Sequence, residues 1–173
     1  MGVGGDGGRV GEDVGGDYTG YALSLSYDGA RMAVAAFAND GANGVDSGHV
    51  RVYEYSSSTW VQLGQDIDGE AGNDQSGRSV SLSADGKRVA VGAWLNDGAN
   101  GVNSGHVRVY EYTTSTSTWT QLGQDIDGEA ASDYSGYYGS VSLSADGSVV
   151  AVGAPGNDGN GADSGHVRVY EFK

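Results

Sequence analysis

An eight-residue string, Ser-Gly-His-Val-Arg-Val-Tyr-Glu, occurs three times in the chain, at residues 47–54, 104–111 and 164–171. Successive copies begin 57 and 60 residues apart. A second string, Gln-Leu-Gly-Gln-Asp-Ile-Asp-Gly-Glu-Ala, is identical at residues 62–71 and 121–130. Such a period predicts repeated supersecondary units that bury their apolar faces only by stacking on one another.

Each repeat contains four predicted β-strands, which are clearest in the middle copy. There, strands A, B, C and D are placed at residues 79–83, 88–93, 105–112 and 119–126. Strand C alternates, with Val107 and Val109 on one face and polar or larger side chains on the other. Asp85-Gly86 lies between A and B, and this pair favours the positive φ angles of a tight hairpin. The composition agrees, because 32 glycines, 11 tyrosines and a single proline favour strands and turns over helices.

Four antiparallel strands per repeat, with long connections only between B and C and between D and the next A, are typical of β-propeller blades. We therefore predict an all-β chain of three four-stranded blades with almost no helix. A β-solenoid is the alternative, but its coils are much shorter than 57 residues. The predicted organisation is a glycine-rich lead-in and three blade repeats, the last without strand D, at residues 1–10, 11–67, 68–126 and 127–173.

The third copy has the fullest form of a known pattern. Tyr138-Gly139 opens its strand A, Gly153-Ala154-Pro155 closes strand B, and Gly-His-Val-Arg-Val-Tyr forms strand C at residues 165–170. This pattern resembles the FG-GAP repeat, which is named for an aromatic-Gly pair and a Gly-Ala-Pro and occurs in integrin α-subunit head domains. The first two copies depart from it, with Ala35-Ala36-Phe37 and Gly92-Ala93-Trp94 in place of Gly-Ala-Pro.

The FG-GAP resemblance implies a seven-bladed propeller of the kind used in adhesion, matrix contact and lectins, commonly outside the cell. Three blades cannot close such a ring, and an open arc exposes strand edges and blade faces that invite pairing. We expect either a fragment of a longer propeller or a subunit whose ring is completed by self-association or a protein partner. An extracellular or cell-surface location is favoured, although the first residues lack the pattern of a signal peptide.

The chain is strongly acidic, with 23 acidic and 9 basic side chains and a formal charge of −14. Such a surface repels nucleic acid and anionic membranes, and it attracts cations or basic partners. No apolar run approaches the roughly 20 residues that span a bilayer. Most acids fall in the B–C loops and the D–A connections, which share one rim of a blade array, so we predict an acidic interaction rim.

The B–C loops repeat a set of oxygen donors in the same order. Calcium prefers six to eight carboxylate, amide and backbone oxygens, and glycine lets a loop wrap around the ion. The predicted calcium ligands are Asp40, Asn43, Asp46, Asp97, Asn100, Asn103, Asp158, Asn160 and Asp163. The competing interpretation is that these residue types stabilise turns by bonding to their own backbone. The integrin-like calcium pattern lies instead in the A–B hairpin, where this chain has only a tight Asp-Gly turn.

Three tryptophans lie at distinctive positions. Trp94 takes the place of Pro155 at the head of an acidic loop, where we expect its ring to stack on a sugar or a protein partner. Trp60 and Trp119 open strand D of their repeats, and we predict that they anchor the packing between blades.

Strand C repeats a histidine and an arginine two residues apart. These residues are His49, His106, His166, Arg51, Arg108 and Arg168. Equivalent positions in successive blades do not converge, so the histidines are predicted to pack between blades instead of binding one zinc ion. The arginines are expected to pair with neighbouring acids.

The sequence contains no nucleophile elbow, phosphate loop or His-Glu-x-x-His motif, and the absence of cysteine excludes thiol catalysis. We therefore predict a non-enzymatic binding or structural module whose acidic rim mediates cation-dependent or protein–protein interaction in adhesion, matrix contact or assembly. A carbohydrate-binding lectin is one alternative. An accessory domain of a larger enzyme is another, since fold alone does not determine function.

Overall fold

The computed structural model describes residues 10–11 and 14–172, and every regular element in them is a β-strand. The strands form three sheets, here called blades 1, 2 and 3. Blade 1 contains β1 (Leu23–Leu25), β2 (Arg31–Ala36), β3 (His49–Ser56), β4 (Thr59–Gln62) and β5 (Ile67–Asp68). Blade 2 contains β6 (Ser76–Leu82), β7 (Arg88–Ala93), β8 (His106–Thr113), β9 (Thr118–Gln121) and β10 (Ile126–Asp127). Blade 3 contains β11 (Val141–Leu143), β12 (Val149–Ala154) and β13 (His166–Glu171).

All paired strands are antiparallel, and the pairs join consecutive strands except for β3 with β5 and β8 with β10. This confirms the predicted all-β fold for the described residues. No helix in that part of the chain has the length and apolar character needed to cross a membrane.

Strand D differs from the prediction of one continuous strand over residues 119–126. In blade 2 it consists of two short strands, β9 and β10, which pair with opposite ends of β8. Between them Gly123 has a φ of +77°, and Gly64 repeats this conformation in blade 1 with a φ of +80°. A left-handed residue cannot continue an extended strand, so the chain leaves the sheet and returns to it. Blade 3 has three strands in the described residues.

The A–B turns form the tight hairpins that their Asp-Gly pairs predict. In blade 2 the Gly86 N–H donates to the Ser83 carbonyl over 2.9 Å, with a φ of +66° at Gly86. The Asp85 carboxylate accepts hydrogen bonds from the Ser83 hydroxyl and the Lys87 N–H, at 2.7 and 3.0 Å. These local contacts explain why one short motif specifies the turn in all three blades.

Two apolar seams between consecutive blades form the core. Because side chains alternate across a strand, Val89 and Val91 of β7 face seam 1 while Ala90 faces seam 2. Seam 1 joins blades 1 and 2 and buries Ala33, Ala35, Val50, Val52, Ile67, Leu82, Val89, Val91, Tyr112 and Trp119. Seam 2 joins blades 2 and 3 and buries Ala90, Val107, Val109, Ile126, Val141, Leu143, Val150 and Val152. Every blade thus depends on its neighbours for burial.

Candidate functional site

The B–C loops hold their predicted ligands in a repeated hydrogen-bonded turn. In blade 1, Asp40 Oδ1 accepts the backbone N–H of Asp46 over 2.9 Å. Asp97 accepts the N–H of Asn103 and Asp158 that of Asp163, both over 2.8 Å. The last residue of each set has a positive φ of 50° to 53°, which Asn and Asp tolerate better than most residues.

The middle asparagines of two loops bridge to the D–A connection. Asn43 Nδ2 donates to the Gly69 carbonyl and Asn100 Nδ2 to the Gly128 carbonyl, both over 2.7 Å. In blade 3 the Asn160 backbone N–H instead donates to the Ser164 hydroxyl over 3.2 Å. The structure therefore brings the nine predicted ligands together in three loops and gives them roles in loop stability. Calcium binding by these loops stays a prediction.

Two other groups of histidine and acidic side chains converge in the described residues. They are His49 with Asp66 and Asp68, and Glu70 with His106 and Asp125. In each group an arginine of the same strand as the histidine pairs with at least one of the acids. Arg51 Nη2 lies 2.9 Å from Asp66, and Arg108 Nη2 lies 2.6 Å from Asp125 and 2.5 Å from Glu70. The guanidinium groups already supply positive charge to these carboxylates, which reduces their attraction for a metal ion.

Burial and Arg108 also determine the protonation states of His106 and Asp125 in the second group. Burial, with a contribution from the Arg108 charge, lowers the pKa of His106 to about 4. The hydrogen bond from Arg108 lowers the pKa of Asp125 to about 2, even though partial burial acts in the opposite direction. At neutral pH this group therefore holds a neutral imidazole and an ionised carboxylate.

Blade 3 repeats the arrangement, with Arg168 and His166 both beside Glu129 and His166 Nδ1 3.5 Å from its carboxylate. The neighbouring acids that pair with the strand C arginines are Asp66, Asp125, Glu70 and Glu129.

A buried carboxylate–amide pair in each blade was missed by sequence reasoning. The carboxylates of Asp17, Asp74 and Asp133 accept hydrogen bonds from the side-chain amides of Asn39, Asn96 and Asn157 at 2.8, 2.9 and 3.0 Å. All three acids are buried, and burial raises the pKa of Asp74. Each pair joins the segment before strand A to the start of the B–C loop. The sequence feature that could have predicted these pairs is the asparagine of the Asn-Asp-Gly string, which opens every B–C loop.

Aromatic side chains from all three blades converge around Arg78. We call this cluster the aromatic rim, and its members are Tyr18, Tyr21, Phe37, Arg78, Trp94, Tyr134, Tyr137 and Tyr138. The Arg78 guanidinium carbon lies 4.1 Å from the ring centroids of Phe37 and Tyr138, 4.6 Å from that of Tyr21 and 5.7 Å from that of Trp94. These distances are within the range of cation–π attraction.

Trp94, the predicted stacking residue, belongs to this rim and is half-buried. Its ring packs edge-on against Tyr137, with centroids 4.8 Å apart, and at a tilt against Tyr134. Its indole N–H donates to the Gln75 side chain over 3.0 Å. The structure therefore places Trp94 within a larger aromatic group, not alone at the head of a loop.

Tyr138 projects between two hollows in the surface of the rim. One has a volume of about 440 Å³ and is lined by Tyr21, Arg78 and Tyr138. The other, of about 600 Å³, is lined by Tyr137, Tyr138, Pro155, Asp163 and His166. Tyr18, Tyr21 and Tyr138 are exposed at 63%, 41% and 46%. An exposed aromatic surface thus lies beside the acidic loops.

The fold and this surface define a propeller-like β-repeat protein. The sequence model of the FG-GAP repeat family matches residues 67–110, which confirms the predicted resemblance over that part of the chain. A search of curated proteins gave no match.

Solved structures agree on the fold. A candidate 6-phosphogluconolactonase from Bacteroides fragilis is 16% identical, with a TM-score of 0.56 over 87% of this chain and 34% of its own. Saccharomyces cerevisiae Sqt1 is 12% identical, with a TM-score of 0.53 over 90% of this chain and 32% of its own. Kuenenia stuttgartiensis hydrazine synthase is 19% identical, with a TM-score of 0.53 over 87% of this chain and 39% of its own. This chain spans about a third of their length, and the similarity shows the fold alone.

Proposed function

We propose that the chain is a non-enzymatic interaction module whose aromatic rim and acidic B–C loops together bind a partner protein. The observation that carries this proposal is the exposure of Tyr18, Tyr21 and Tyr138 around a single arginine. Tyrosine, tryptophan and arginine are the residue types that supply most binding energy in protein interfaces.

Charge indicates the kind of partner. Asp40, Asp97 and Asp158 are exposed in the loops beside the rim, and the chain as a whole carries a formal charge of −14. A basic surface surrounding an apolar or aromatic-binding patch is complementary to this arrangement. The adhesion, matrix or assembly roles implied by FG-GAP repeats fit such a partner.

The test is affinity capture on the immobilised chain from an extract of the producing organism, followed by direct binding measurements on each purified protein that is retained. The rim variant is the double substitution Tyr21→Ser and Tyr138→Ser. The matched control is Tyr27→Ser, because Tyr27 is 93% exposed in the A–B turn at the opposite rim. Loss of two aromatic anchors is expected to weaken binding about 30-fold or more.

Binding that is equal in the rim variant and the control would reject the aromatic rim as the contact surface. Calcium dependence is examined in the same assay by adding calcium or a chelator, with Asp97→Asn as the loop variant. If the predicted calcium sites support binding, the chelator weakens wild-type affinity and Asp97→Asn reproduces that effect.

Carbohydrate binding is the second candidate function. It is favoured by the hollow of about 440 Å³ whose lining includes Tyr21 and Tyr138, since aromatic rings stack on the apolar faces of sugars. A glycan array probed with the wild type, the rim variant and Tyr27→Ser separates the two candidates. A glycan signal that disappears only in the rim variant would assign the rim to a lectin function.

A further inference from the structure

Each internal seam joins two different blade faces. The forward face of blades 1 and 2 presents two strand C valines, Val50 and Val52 or Val107 and Val109, which are all completely buried. The rear face of blades 2 and 3 presents the leucine that ends strand A, Leu82 or Leu143. The same forward-to-rear contact therefore occurs twice within the chain.

In the described residues the forward face of blade 3 carries the same strand C valines with neither a covering blade nor a strand D beside them. Val167 pairs with Gly153 and Val169 with Ala151, which is the register of Val107 and Val109 against Gly92 and Ala90. Val167 and Val169 are nevertheless 68% and 67% exposed. Their exposure gives blade 3 an apolar face of the kind that the chain buries twice elsewhere.

The rear face of blade 1 is open in the corresponding way. Leu25 pairs with Met32 as Leu82 pairs with Val89, but Leu25 is 53% exposed and Leu82 only 7%. Tyr55 is 51% exposed, whereas its equivalent Tyr112 is 8% exposed in seam 1. The forward face of blade 3 and the rear face of blade 1 thus carry residues equivalent to those that meet in seams 1 and 2.

Hydrogen bonds between blades also recur from one seam to the next, and their donors and acceptors are present on the two open faces. In seam 1 the Leu82 N–H donates to the Ser24 hydroxyl over 3.0 Å, and in seam 2 the Leu143 N–H donates to Ser81 over 2.9 Å. The next pair in this series is the Leu25 N–H with the Ser142 hydroxyl. The A–B turns also bond in series, with Tyr27 N–H to the Ala84 carbonyl and Ala84 N–H to the Ala145 carbonyl, at 2.9 and 2.8 Å.

We infer that the forward face of blade 3 binds the rear face of blade 1 of a second copy of this chain, in the arrangement that joins blades 1, 2 and 3. The contact is heterologous, because two different surfaces meet, so each copy offers one of each. It uses residues outside the aromatic rim and goes beyond the proposed function. Failure of one proposal therefore leaves the other intact.

The contact is tested with two face variants and a control. Val169→Asp places a charge on the forward face, and Leu25→Asp places one on the rear face. Val102→Asp is the matched control, because Val102 is 62% exposed in a B–C loop and lies on neither face. Sedimentation velocity at about 100 μM is expected to show association for the wild type and the control, and monomers for each face variant.

Mixing the two face variants gives the sharpest result. The Val169→Asp chain retains a native rear face and the Leu25→Asp chain a native forward face, so the mixture is expected to form a one-to-one complex and nothing larger. Circular dichroism of each variant verifies the fold. A monomeric wild type, association that survives either face variant, or a mixture that stays monomeric would overturn the inference.

Discussion

Val109 of β8 and Val169 of β13 occupy the same register position in consecutive blades, opposite Ala90 and Ala151, but Val109 is completely buried and Val169 is 67% exposed. Their strands are identical from the histidine to the glutamate. Val109 is packed against blade 3 and its strand is bordered by β9 and β10, whereas the described part of blade 3 offers neither a covering blade nor a strand D beside β13. The pair therefore compares one strand sequence with and without its packing neighbours.

Val109→Ala is expected to lower the free energy of unfolding by about 2 kcal/mol, because it removes buried methyl groups and leaves a cavity in seam 2. Val169→Ala is expected to change the stability of the monomer by less than about 0.5 kcal/mol. Chemical denaturation at a concentration low enough to keep the chain monomeric measures both. Equal losses would show that the two valines have similar surroundings in solution.

Acidification is expected to destabilise the protein through His106. Its pKa is lowered to about 4 in the folded state, below the usual value near 6.5, so the unfolded chain binds the proton more readily. This contribution is fully present above about pH 6.5 and is lost as the pH falls towards 4, amounting to about 3 kcal/mol.

The measurement for His106 is the free energy of unfolding between pH 7 and pH 4 for the wild type and for His106→Gln. The variant is expected to lose most of the slope, whatever its absolute stability. Asp125 adds a second loss below about pH 4, since its folded pKa of about 2 lies under its unfolded value. Identical slopes in both proteins would contradict the burial of a neutral His106.

Asn96→Ala is expected to cost about 1 to 3 kcal/mol, because it leaves the buried Asp74 carboxylate without its amide donor. Asn100→Ala is the comparison, since the exposed Asn100 makes one bond to the Gly128 carbonyl and is expected to cost about 1 kcal/mol or less. Thermal unfolding of both variants ranks them. A larger loss of stability at Asn100 would show that its hydrogen bond to Gly128 contributes more than the buried pair of Asp74 and Asn96.

Gly105→Ala is expected to be far more damaging than Gly139→Ala. Both glycines have positive φ angles, +70° and +62°, so each substitution carries a similar backbone strain. A Cβ at Gly105 would lie 2.4 Å from the Ser135 carbonyl oxygen, whereas none of the surrounding atoms is within 4 Å at Gly139. We expect a loss of about 1 kcal/mol at Gly139 and several times that at Gly105, measured by denaturant unfolding.

The elements that the sequence predicts well are those specified by neighbouring residues. The Asp-Gly hairpins need only the Ser, Asp and Gly of one turn, and strand B at residues 88–93 matches β7 (Arg88–Ala93). The prediction of one continuous strand D over residues 119–126 is wrong because Gly123, within that range, has a positive φ that interrupts the strand.

The candidate site was harder to predict because its parts are distant in the sequence. Tyr21, Arg78 and Tyr138 are contributed by three different blades and meet only through the packing of those blades. Asp74 and Asn96 likewise meet across 22 residues. An aspartate such as Asp97 suits both a calcium ligand and a turn residue, and only its bond to the Asn103 N–H reveals the second role.

The most direct test of the central claim, that the aromatic rim is the interaction surface, uses the three tryptophans as reporters. Trp94 lies in the rim, Trp119 is buried in seam 1 and Trp60 lies on blade 1 beside Tyr55. The measurement is the indole N–H region of the nitrogen-15 NMR spectrum, recorded with and without a captured partner at constant protein concentration. Binding at the aromatic rim is expected to shift the Trp94 signal and to leave the Trp119 signal unchanged. A partner that binds without moving the Trp94 signal would contradict it.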